Sequence, residues 1–140
     1  MPRIAVEVQM VKSVTEMLRE ARASVAAESA SAVASALEEG AALLVDVRQH
    51  DEFAACRISG SISAPRGLLE FLADPASGRH VPELAPDRRV IVVSASGARA
   101  VLAAATLLSM GYADVTVLDG GIAAWSADGR PLVVRERVAV

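Results

Sequence analysis

Hydrophobic and polar positions follow one another in short blocks along the chain. Ile4, Val6, Val8 and Met10 fill every second position, a four-match strand signature over 4–10. Ser13-Val-Thr-Glu16 fits a capping box, and Val14, Met17, Leu18 and Ala21 then keep helical spacing, which predicts an amphipathic helix over 14–22. Residues 23–36 are almost all Ala, Ser and Val; Ser29 or Ser31 caps a second helix there, ending at Gly40. ALLVDV at 42–47 is apolar without alternation up to Asp46, the mark of a strand buried on both faces, as in a parallel sheet. A helical turn over His50–Ala55, a short strand at 61–64 and a short helix over Gly67–Leu72 are predicted next, then a polar, Pro-rich loop over 74–87. RVIVVS at 89–94 reads as a second buried strand, 100–111 as a helix with Gly111 just past its end, and DVTVL at 114–118 as a third strand. Gly120-Gly121 turns the chain into a last short helix around Trp125, closed by Gly129 and Pro131.

Short β runs alternating with helices imply an α/β domain with a mostly parallel sheet. A length of 140 residues fits one such domain. With 53% hydrophobic and 22% charged residues the chain can bury a core, although 28 alanines and four aromatics make its side chains small. A net charge of −3 and scattered arginines (Lys12 is the one lysine) argue against a nucleic-acid partner. No apolar run approaches the ~20 residues of a membrane helix. The N-terminus has no long apolar stretch of the secretory kind. A single cysteine, Cys56, excludes an internal disulfide and a cysteine-built zinc site. The expectation is a cytoplasmic protein without metal, cofactor or membrane contact.

In parallel α/β sheets ligands bind beyond the carboxyl ends of the strands. The segment after the 89–94 run is Ser94-Ala95-Ser96-Gly97-Ala98-Arg99, which leaves a strand and enters a helix. Backbone N–H groups there lack intrahelical partners and converge, and the helix dipole adds positive charge. Gly97 permits a tight curl, and Arg99 adds a permanent cation. Ala95 to Arg99 therefore form an anion cradle with residue 94 at its centre. A thiol at position 94 would be held there as thiolate.

Four segments in order carry a family resemblance. They are LLVDVRQHDEF (43–53), RISGSISAP (57–65), VIVVSASGARA (90–100) and GYADVTVLDGGIAAWSADGRPL (111–132). Together they resemble the rhodanese pattern over about residues 28–134. The extra N-terminal helix and APRGLLEFLADP (64–75) resemble a bacterial single-domain subgroup of that family. The resemblance implies a central parallel sheet with helices on both faces. It also implies a domain at 28–134 between an N-terminal extension (1–27) and a C-terminal tail (135–140). The implied activity is transfer of sulfane sulfur from a donor such as thiosulfate, through a persulfide on a loop cysteine, to cyanide or a thiol. The partners it implies are a small sulfur-containing anion and a thiol acceptor.

The family cysteine falls at Ser94. An oxygen cannot carry a transferable sulfane sulfur, and serine is a weak nucleophile without a base. Neither His50 nor His80 belongs to the loop motif. Sulfur transfer through position 94 is therefore expected to fail. Two origins of Ser94 stay open, natural loss or a deliberate Cys→Ser change. A non-catalytic module that binds an anion or a protein through the same loop is the alternative function. Related phosphatases use Cys-x5-Arg, whereas four residues separate Ser94 from Arg99 here.

Other residues frame the site. Asp46 and Arg48 form an Asp-x-Arg pair at the end of a core strand, read as supporting, by a local ion pair or by bonding loop termini. Arg66 either faces the loop as an anion ligand or is solvated. Cys56 reads as a small apolar side chain in preference to a relocated sulfur carrier, since no thiolate-activating motif surrounds it. Arg57 and Ser59 replace the usual His and Pro of their segment. Trp125 is expected to fill the core.

Overall fold

The computed structural model describes residues 2–5 and 11–135. Most of the alternating segment at 4–10, and the tail from 136, lie outside them.

The first helix, α1 (Val14–Ser24), starts where Ser13 Oγ accepts the amide of Glu16. A three-residue strand, β1 (Ala26–Glu28), follows, and then α2 (Ala30–Glu38), capped by Ser29 Oγ on the amide of Ala32. Strand β2 (Leu43–Asp46) leads to α3 (His50–Ala55), two-residue strands β3 (Cys56–Arg57) and β4 (Ile62–Ser63), a 3-10 turn at Arg66–Leu68 and α4 (Leu69–Ala73). After the long loop come β5 (Arg89–Val93), α5 (Ala98–Ser109), β6 (Asp114–Leu118), α6 (Gly121–Ala127) and β7 (Val133–Val134).

Five strands form one parallel sheet in the order β1-β6-β5-β2-β4. Parallel neighbours need crossover helices, and these cover both faces. Alternate side chains of each central strand point to opposite faces. Leu43, Val45, Val90, Val92, Val115 and Val117 face α1, α4 and α5. Leu44, Ile91, Val93 and Leu118 face α2 and α6, where Trp125 and Ile122 complete a second core. This two-sided burial is why 43–46 and 89–93 read as unbroken apolar runs. β3 and β7 pair antiparallel as a separate two-stranded sheet.

On the α5 side the long loop is tied down by Tyr112. Its hydroxyl lies 2.8 Å from the carbonyl of Ala73 and 2.9 Å from that of Leu84, and its one proton serves either. Burial, followed by the charge of Asp74, pushes the phenol pKa up to about 12. His80 Nε2 sits 2.9 Å from the same Leu84 carbonyl.

Candidate functional site

β5 delivers the chain to Ser94 at the carboxyl edge of the sheet, and α5 begins four residues later. The turn between them closes at Gly97, whose φ of +111° side chains rarely adopt. Ser94 is fully buried, and its Oγ accepts from the amides of Gly97 (3.2 Å) and Ala100 (3.1 Å). The amides of Ser96, Ala98 and Arg99 find no acceptor among the described residues. Position 94 is thus the focus of converging backbone donors at a helix N-terminus.

The outer side of the loop is fixed by α6. The amide of Ile122 donates to the Ser94 carbonyl (2.9 Å), and that of Ala123 to the Ala95 carbonyl (3.0 Å). The approach requires Gly121, which has φ +61°; a Cβ there would stand 2.2 Å from the Ser94 carbonyl oxygen. The Gly120-Gly121 pair therefore does more than turn the chain, since it lets a helix end clamp the loop backbone.

Arg99 does not reach freely into solution. Its guanidinium forms a two-pronged bridge with Glu52 of α3, at 2.7 and 3.0 Å. Glu52 Oε1 also accepts the Gln49 amide. The Arg99 hydrogen bond above all holds the Glu52 carboxyl down to about 2, against its partial burial. The same bond raises the Arg99 pKa further above its ordinary value. The positive charge beside the cradle is thereby largely matched, and the amides carry most of the attraction for an anion. Sequence reasoning missed Glu52 as a partner; its one signal was the acidic residue in the 43–53 segment.

Asp46 and Arg48 are brought together as a buried clamp. Asp46 is 0% exposed and Arg48 5%. The Asp46 carboxylate accepts from the Arg48 amide (3.0 Å), Nε and Nη2 (2.9 Å), and Nη2 also donates to the Cys56 carbonyl at 2.6 Å. Burial opposes the charge on Arg48, and the bonds and charge of Asp46 more than offset it. The clamp fixes the turn from β2 into α3, and hence the helix that presents Glu52 to Arg99.

Arg66 belongs elsewhere. Its guanidinium bonds Glu70 (3.0 Å) and Thr106 Oγ1 (3.0 Å), halfway along α5, and makes no bond to the loop. Cys56 is half-buried against the Trp125 core. Trp125 is buried and donates from Nε1 to the Pro131 carbonyl (2.9 Å). His50 is exposed at the start of α3, and no imidazole bonds Ser94 among the described residues. Among the described residues Ser94 Oγ bonds backbone amides alone and no side chain that could act as its base.

A family model described as "Rhodanese-like domain" matches residues 29–128. A sulfurtransferase of Allochromatium vinosum is 36% identical over 94 residues, covering 67% of this chain and 80% of that protein. A thiosulfate sulfurtransferase, GlpE, of Pseudomonas fluorescens is 37% identical over 92 residues, covering 66% of this chain and 77% of that one. Among solved structures, a Rhodopseudomonas palustris protein of unknown function, RPA3614, described as a "possible tyrosine phosphatase", superposes with a TM-score of 0.83. It is 31% identical, and the match covers 92% of this chain and 100% of that one.

Proposed function

The chain belongs to the rhodanese-like domain family, and we propose that its 94–99 loop is a sulfurtransferase site whose nucleophile position is filled by Ser94. One observation carries the proposal: Ser94 Oγ receives the amides of Gly97 and Ala100 at the head of α5. A sulfur at that atom would be stabilised as thiolate by the same donors. It would attack the outer sulfur of thiosulfate, the S–S bond would break, and sulfite would leave with the bonding pair. Cyanide or a thiolate would then take the outer sulfur and return the loop thiolate. Oxygen in its place forms no such carrier, so the chain as it stands transfers no sulfur. The relatives called sulfurtransferases support the reaction class.

The four-residue spacing between Ser94 and Arg99 and the Glu52 bridge on that arginine disfavour a phosphate-ester site. A second reading, binding of an anion or a protein without turnover, draws on the unpartnered amides of Ser96, Ala98 and Arg99. The proposal includes a cytoplasmic location. No helix of the described residues is long and apolar enough to cross a membrane.

The test is a thiosulfate:cyanide assay of the chain beside its Ser94→Cys variant, with folding checked by circular dichroism. Thiocyanate from the variant alone is the expected result. A folded but inactive variant overturns the sulfurtransferase reading and leaves the binding module. Phosphatase turnover by the variant would reverse the rejection of ester chemistry.

A further inference from the structure

Beside the loop, on its α1 side, lies a pocket of about 280 Å³. Its inner wall is apolar, with Val25 at the end of α1 and Val117 of β6, both buried. Ser96 and Gly97 of the loop form another side. Two charged side chains line it as well, Arg22 from the last turn of α1 and Asp119 after β6, both exposed. Neither forms an ion pair among the described residues, although seven other pairs do. The pocket thus joins an apolar wall to a guanidinium and a carboxylate that pair with nothing among the described residues.

We propose that this pocket binds a small zwitterion, an α-amino acid with an apolar side chain. Its carboxylate would meet the Arg22 fork, its ammonium Asp119, and its side chain the valine wall. Planar carboxylates suit a guanidinium, and an ammonium suits a carboxylate acceptor. The volume sits just below the ~300–1,000 Å³ of drug-sized ligand sites, which favours an amino acid over a nucleotide. Asp119 discriminates against a bare anion, which Arg22 alone would welcome. The site reads no chemistry from position 94, so it stands whether or not the loop is a sulfurtransferase site. A ligand there would touch the loop at Ser96 and Gly97.

The experiment is a titration of the full chain with L-methionine, followed by amide chemical shifts. Saturable shifts at Val25, Gly97 and Asp119 are expected. Arg22→Ala and Asp119→Asn each change an exposed side chain, so the fold is retained. Each is expected to weaken binding at least about tenfold, the factor for losing one charge-assisted hydrogen bond. Methionine methyl ester lacks the carboxylate charge and N-acetylmethionine lacks the ammonium; both are expected to bind weakly. The proposal is overturned if no saturable shift is seen or if the shifts map elsewhere. It is equally overturned if either variant binds methionine undiminished, or if either blocked ligand binds as well as methionine.

Discussion

Replacing Asp46 by Ala tests the account of how the site is held. The substitution removes a carboxylate that is 0% exposed and takes three donor groups of Arg48. Arg48, 5% exposed, would keep the Cys56 carbonyl as its one acceptor among the described residues. Stranding one member of a buried pair costs about 3–5 kcal/mol, because the remaining charge has no compensation. That is a large share of the ~5–15 kcal/mol that stabilises an ordinary domain. For a chain of this size it corresponds to a drop in Tm of roughly 10–17 °C. Urea unfolding followed by fluorescence of Trp125, the single tryptophan, measures it. The midpoint should fall with little change in slope. An Asp46→Leu, Arg48→Met double variant removes both charges and should recover most of the loss, as apolar replacements of buried pairs often do. A loss below about 1 kcal/mol in the single variant would refute the reasoning, because it would mean that Arg48 finds water or another acceptor. A double variant less stable than the single one would show that the pair contributes more than it costs.

Three further outcomes follow from the geometry. The Glu52 carboxyl is held at about 2, so the Arg99 bridge adds stability that is complete above the ordinary carboxylate pKa and fades as pH falls from about 4.5 towards about 2. Both side chains are over a third exposed, so the contribution is below about 1 kcal/mol; Glu52→Gln should flatten the pH–stability curve in that window and nowhere above it. Gly121→Ala should cost more than the roughly 1–2 kcal/mol of a left-handed residue, since its Cβ would meet the Ser94 carbonyl at 2.2 Å. Gly97→Ala, whose Cβ meets nothing nearer than 3.6 Å, should cost the less of the two in the same urea assay. Tyr112→Phe strips a hydroxyl shared by two buried carbonyls and should cost about 1–2 kcal/mol, with faster proteolysis of the 74–88 loop.

The core strands were legible because a parallel strand buried on both faces needs an unbroken apolar run, and Leu43–Asp46 and Arg89–Val93 supply one. Helix starts were legible where a serine side chain does the capping, at Ser13 and Ser29. β1 was not: Ala26-Ala27-Glu28 is three residues long and mostly exposed, with no pattern to read. β3 and β7 are two residues each and exist through one another. The loop announced itself by its place after a buried strand and by Gly97. Its electrostatics did not, because Glu52 lies 47 positions before Arg99 and only the fold brings them together. Arg66 shows the converse: a cation that the sequence offers as a ligand of the loop spends its donors on Glu70 and Thr106 once the chain is folded.

The strand order also sets a timetable for synthesis. β1 leaves the ribosome well before β6, its partner in the sheet among the described residues. Glu28 bonds Thr116, 88 positions later. At about 5–20 residues per second that separation is a wait of roughly 4–18 s. During it, Ala26–Glu28 has no ladder to join, and α1 has no α5 to lie against. α1 and β1 are therefore secured only after β6 and α5 have been made, and this interval is when a chaperone or a protease would find them open.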